Sequence, residues 1–135
     1  MTDLQLIQEA IKARAHAHAP YSNHRVGAVI VTKEGRIFSG VNVENCALPL
    51  GDCAERVAIC KAVSEGFKNF SKLVIVTGNK DISPPCGGCR QIIREFCSEN
   101  FEIILSNPDK KFKLFKLKDL LPFSFGPDSM HKGQD

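Results

Sequence analysis

Two cysteines three positions apart, directly after two prolines, constrain this chain more than any other feature. The stretch is Ser83-Pro84-Pro85-Cys86-Gly87-Gly88-Cys89-Arg90. Its spacing suits two thiolates on one metal ion, or a redox disulfide. A mononuclear zinc site needs a further ligand, so the fold must bring another part of the chain to this turn. Asp52-Cys53-Ala54-Glu55-Arg56 supplies the candidate. Cys53 is placed to open one helix, as Cys86 and Cys89 open another. Unsatisfied N–H groups and a partial positive charge at a helix start favour thiolate over thiol. No histidine and no fourth cysteine has a comparable setting, which leaves three ligands and an open fourth position. Arg56 and Arg90 stand near enough in sequence to offset the negative charge.

The rest of the chain reads as one domain over 1–135, with 126–135 a frayed polar end. Its 135 residues, 43% hydrophobic and 24% charged, suit one substantial core of an ordinary globular protein. Asp3 to His18 has helical spacing, with Leu4, Ile7, Ile11 and Ala15 on one stripe and Thr2 with Gln5 as a capping box. Val26 to Thr32 and Arg36 to Val41 read as a hairpin turned at Lys33-Glu34-Gly35. A helix follows from Cys53 to Ser64, stopped by Gly66. Leu73 to Thr77 is a continuous apolar run, the mark of a strand covered on both faces. A helix through about Cys97, strands at Glu102–Leu105 and Lys111–Phe115, and a short helix at Lys118–Leu121 complete the pattern. The order α-β-β-α-β-α-β-β predicts an α/β fold, one mixed sheet between helices.

Charge and composition narrow the partners. The net charge of +3 is mild, and Lys110 to Lys118 alternates lysine with apolar residues, as an edge strand does. Nothing resembles a nucleic-acid arm or a membrane span. MTDLQLIQEAIKAR lacks the order of a signal peptide, so the expectation is a cytoplasmic protein with reduced thiols. Cys46, Cys60 and Cys97 are then non-ligands, the last two in the core. His16, His18 and His131 are expected at the surface.

Glu55 lies two residues after Cys53, beside any bound metal without being needed as a ligand. A carboxylate there can take a proton from water and pass it to a leaving group. C-x-E followed by P-C-x-x-C is the zinc-deaminase signature in its three-cysteine form. Across nearly the whole chain the sequence resembles the small tetrameric cytidine deaminases. The matching words are APYS (Ala19 to Ser22), VGA (Val26 to Ala28), GVNVEN (Gly40 to Asn45), CAER (Cys53 to Arg56), KAVSEG (Lys61 to Gly66), PCGGCRQ (Pro85 to Gln91) and LLP (Leu120 to Pro122).

That resemblance implies a three-layer α-β-α sandwich around a five-stranded mixed sheet. It implies one Zn²⁺ per subunit on Cys53, Cys86 and Cys89, with Glu55 as the proton carrier in hydrolysis of cytidine and deoxycytidine during pyrimidine salvage. Asn42 and Glu44 match the pair that grips the ribose hydroxyls, and the Ala54 N–H matches the group that holds the base carbonyl. Arg56 matches a residue that neutralises the thiolates. Phe125 stands where the family places an aromatic that stacks on a base in a neighbouring subunit, so a homotetramer with shared sites is implied. His24, Leu48, Val57 and Pro84 depart from common family choices. His24 takes the place of a phenylalanine that packs on the base. A modified nucleoside of the blasticidin type is therefore the rival substrate. A non-catalytic zinc-stabilised binding module is the rival class.

Overall fold

The computed structural model describes residues 1–131, apart from the His131 side chain. The expectations for residues 132–135 and for the His131 side chain lie outside the described residues. Five strands form one sheet in the order β2-β1-β3-β4-β5. They are β1 (Gly27–Thr32), β2 (Ile37–Val41), β3 (Phe70–Val76), β4 (Glu102–Ser106) and β5 (Phe112–Lys116). The helices are α1 (Asp3–Arg14), α2 (Ala54–Ser64), α3 (Gly87–Phe96), α4 (Leu117–Leu120) and α5 (Pro127–His131).

Antiparallel pairs join β1 to β2, β1 to β3 and β4 to β5, whereas β3 and β4 run parallel, Lys72 opposite Glu102. A parallel pair requires a crossover, and α3 supplies it. Gly35 makes the β1–β2 turn at φ 91° and Gly66 ends α2 at φ 97°, both in the region open to glycine.

Alternation along the strands sorts the core into two halves. Ala28, Ile30, Leu73, Ile75, Ile103 and Leu105 face α2 and α3, packing on Ala58, Ile59, Ala62 and Ile93. Val29, Val74, Val76 and Ile104 face α1, packing on Leu6, Ile7 and Ala10. Helices therefore cover both faces of the sheet, the expected sandwich. β3 is buried from Leu73 to Val76, as its apolar run requires. β5 is the lysine-bearing edge, with Phe112 and Leu114 exposed.

The capping box forms, Thr2 N–H donating to Gln5 Oε1 at 2.8 Å and Gln5 N–H to Thr2 Oγ1 at 3.2 Å. Of the expected stripe on α1, Ile7 is buried and Ile11 packs against the same core, whereas the helix end and the other stripe positions depart from expectation. The helix ends at Arg14, because the chain from His18 pairs with the segment after β2: His18 N–H donates to Asn42 O and Glu44 N–H to His18 O. Its buried face is Leu6, Ile7 and Ala10, while Leu4 and Ala15 are exposed and Ile11 is half-buried. Gly27 sets this rotation. A Cβ there would stand 2.1 Å from Ala10 O, so the helix rests on bare strand backbone.

Gly40 does the same for α2, with Ala58 N 2.4 Å and Ala54 O 2.5 Å from where its Cβ would be. At the chain's end, Pro127–His131 forms a helix where fraying was expected. Arg94, buried near the end of α3, donates to Ser124 Oγ at 2.9 Å and Asp128 Oδ1 at 2.8 Å. The chain wraps so closely that a Cβ on Gly126 would lie 2.4 Å from the guanidinium carbon.

Candidate active site

Cys53 caps the start of α2 and Cys86 that of α3, with Cys89 in the first turn of α3. Neither cap makes a side-chain hydrogen bond, so the first-turn N–H groups of both helices remain available to negative charge. The Cys53 and Cys86 sulfurs are 4.0 Å apart, and all three Sγ atoms lie within 4.8 Å of one another. A tetrahedral ion with Zn–S bonds of about 2.3 Å separates its sulfurs by about 3.8 Å. The three thiols fit such an ion with small side-chain adjustments.

Glu55, 5% exposed, accepts a hydrogen bond from Cys89 Sγ at 3.2 Å. Burial holds its carboxyl above the ordinary carboxylate range, and the Cys89 bond pulls in the opposite direction. Hydrogen bonding from Cys89 brings the Cys53 thiol down to about 7, with smaller help from Cys86 and Arg56. Cys89, bonded to Cys53 and desolvated, is pushed upward.

Cys53, Cys86 and Glu55 line a cleft of about 370 Å³, within the usual range for small-molecule sites, and Cys89 touches Glu55 without lining it. Asn42, Glu44 and His24 line the cleft together with Cys53, Ala54 and Glu55. Asn42 Oδ1 accepts from Val26 N–H at 2.9 Å and its Nδ2 donates to His24 O at 2.7 Å. Glu44 Oε1 accepts from the N–H groups of Tyr21 and Ser22, and Oε2 from the Ser22 hydroxyl. That hydroxyl, above all, holds the Glu44 carboxyl below its ordinary value. The pair thus reaches one cleft, as their spacing predicts, each fixed by the 21–26 loop. Ala54 begins α2, where backbone N–H groups lack intrahelical acceptors.

Other candidates sit elsewhere. Phe125 is 60% exposed and outside the cleft, its carbonyl accepting from Gln91 Nε2 at 2.8 Å; Phe123 is 95% exposed. Arg56 makes an exposed ion pair with Asp52 at 3.5 Å. Arg90 does not face the thiols with its charge free. It donates to Pro85 O at 2.8 Å and Leu120 O at 2.5 Å, tying α3 to the end of α4. Cys60 is exposed rather than in the core, while Cys97 is buried, which pushes its thiol up to about 12. Sequence reasoning missed Val26, Ile75 and Thr77 in the cleft. Continuing the alternation of β3 one step past Ile75 would have found Thr77.

Those thiol environments predict a labelling pattern. Iodoacetamide should modify Cys46 and Cys60 in the native zinc-loaded protein and spare Cys97, with all six thiols labelled after denaturation. Peptide mass spectrometry reads the result, and rapid native labelling of Cys97 would contradict its burial.

Fold and site together define a class: an α/β sandwich whose paired helix starts cluster three thiols beside a buried carboxylate at the edge of one cleft. The family model for the cytidine and deoxycytidylate deaminase zinc-binding region matches residues 1–105. The chain belongs to that family. It is 39% identical over 126 residues to a cytidine deaminase of Halalkalibacterium halodurans, covering 93% of this chain and 96% of the relative. A probable cytidine deaminase of Dictyostelium discoideum is 42% identical over 125 residues, covering 92% and 84%. The crystal structure of cytidine deaminase from Burkholderia pseudomallei superposes with a TM-score of 0.89 at 39% identity, covering 93% and 100%.

Proposed function

We propose that this chain hydrolyses the 4-amino group of cytidine and deoxycytidine, giving uridine or deoxyuridine and ammonia. The observation that carries this reading is Glu55: a buried carboxyl 3.2 Å from one of three clustered sulfurs, at the edge of a nucleoside-sized cleft. Cys53, Cys86 and Cys89 would hold one Zn²⁺ per subunit. Bound zinc supplies Lewis acidity, which brings water near ionisation at neutral pH.

Glu55 accepts a proton from the attacking water and delivers it to ring N3. Glu55 then takes the remaining proton of that water from the C4 hydroxyl and passes it to the exocyclic nitrogen as the C4–N bond breaks and the C4 carbonyl forms, so the two protons of water end on N3 and on ammonia. Burial raises this carboxyl, which favours its carrying a proton between water and base. Asn42 and Glu44 hold the ribose hydroxyls, the Ala54 N–H holds the base carbonyl and His24 packs on the base. Arg56 offsets thiolate charge. Phe125, far from its own cleft, completes that of a neighbour in a homotetramer. The setting is pyrimidine salvage in the cytoplasm. Among the described residues the cleft lining carries Glu44, Asp52 and Glu55 but no lysine or arginine. That favours an uncharged nucleoside over a nucleotide or nucleic acid. No described helix is long and apolar enough to cross a membrane.

Ultraviolet absorbance tests the reading on zinc-loaded protein. Cytidine and deoxycytidine should be consumed, with cytosine and deoxycytidylate at least about 10²-fold poorer in kcat/KM through lost ribose contacts or a repelled phosphate. Turnover confined to a blasticidin-type nucleoside would replace cytidine as substrate. No turnover of any member by folded, zinc-replete protein would favour a binding module.

A further inference from the structure

The face of β3 that meets α2 and α3 ends in a hydroxyl. Leu73 and Ile75 lie on that face, and Thr77 follows Ile75 by the two-residue step that returns a strand to the same side. Pairing continues to this point, since Thr77 N–H donates to Ser106 O at 3.2 Å. Ile75, Thr77 and Val26 line the cleft together. Thr77 is 5% exposed, and its Oγ1 is the single buried side-chain nitrogen or oxygen without a hydrogen-bond partner among the described residues.

An unpartnered buried hydroxyl weakens a fold, whereas valine has the same shape and suits a strand at least as well. Val74, Ile75 and Val76 precede it. The fold therefore gains nothing from an oxygen at 77, and a ligand in the cleft does. Rotation about χ1 by one staggered well carries Oγ1 to the position held by the methyl group or the hydrogen, so the hydroxyl can be re-aimed in the cleft without backbone movement. Its neighbour Gly78 lies against His24, where a Cβ would be 3.5 Å from Nδ1. His24 is the residue that packs on the base in the proposed reading.

We infer that Thr77 is a specificity-determining residue whose hydroxyl hydrogen-bonds the polar edge of a pyrimidine base; this rests on the reading of the cleft as a nucleoside site. The test compares Thr77→Val and Thr77→Ser with the parent, all zinc-loaded. Thr77→Val should raise KM for cytidine roughly 3- to 10-fold with kcat unchanged, the mark of a contact present before and during reaction. It should also raise the Tm of the ligand-free protein by about 3 to 5 °C. Thr77→Ser should keep the parental KM. Calorimetric binding of uridine gives a readout without turnover, and Thr77→Val should weaken it by the same factor.

Unchanged uridine affinity in Thr77→Val overturns the inference, as does a lowered Tm, which would mean that the hydroxyl is satisfied within the free protein. If the parent protein leaves cytidine untouched but uridine binding still falls in Thr77→Val, the inference stands and the deaminase reading fails.

Discussion

Replacing Glu55 with alanine lowers kcat for cytidine by about 10⁴-fold, the upper end of what a positioned proton carrier contributes. The same variant keeps its zinc and its fold. Both halves of the expectation come from position. Glu55 touches Cys89 without being needed as a ligand, so the three sulfurs remain when its carboxyl is removed. Desolvation already disfavours its charge, so taking the carboxyl out of a buried site leaves no unpaired ion behind. Two proton transfers are lost at once, one from water and one to the departing nitrogen, which is why the effect is large. Metal content by mass spectrometry and helical content by circular dichroism separate chemistry from folding. A Glu55→Ala protein that keeps a tenth of the parental rate would remove Glu55 from the reaction. Metal loss in the same variant would make it a structural partner of the site instead.

The second large effect arises outside the cleft. Gly40→Ala places a carbon 2.4 Å from Ala58 N and 2.5 Å from Ala54 O, both backbone atoms of α2. β2 cannot yield easily, since Gly40 pairs with Ala28 in the sheet. The helix must therefore lift, and Ala54, Ala58 and Ala62 lose the close seat that their small side chains allow. Overpacking of this kind costs about 3 kcal/mol or more, a large share of the stability of an ordinary domain. A fall in Tm of about 10 °C follows for a chain of this size. Because the first turn of α2 carries Cys53 and Glu55, zinc affinity falls with it. Gly88→Ala is the control. Its Cβ would meet nothing within 4 Å, and alanine favours a helix by up to about 1 kcal/mol. Equal Tm values for the two variants would mean that α2 does not depend on the bare backbone at Gly40.

What could be read from the chain alone follows the range of the forces involved. The thiols at 53, 86 and 89 were legible because a helix start is a local event, signalled by its own residues. β3 was legible because cover on both faces demands an unbroken apolar run. The buried face of α1 was legible only at Ile7 and Ile11, because the exact rotation depends on Gly27, a residue of another element. Cys60 was misplaced for a related reason. Seven residues beyond Cys53, it shares the side of α2 turned from the sheet, and burial goes to Ala58, Ile59 and Ala62. Asn42 and Glu44 could be paired by spacing, but the loop bonds that fix them join residues about 20 apart in sequence. The alternation of β3 places Thr77 on the face of Ile75, but its role was not legible, since a threonine at a strand end has meaning only once a cleft lies over it.

α3 joins two regions that the chain keeps far apart. Its ten residues make a rod about 15 Å long. Cys86 and Cys89 occupy one end, and near the other Arg94 grips Ser124 and Asp128. Between these anchors, Gln91 holds the carbonyl of Phe125. The exposed ring is thus mounted on the helix that carries two of the sulfurs, and its offset from them is built into one body. Seating that helix sets the positions of two sulfurs and of the Phe125 ring in a single adjustment.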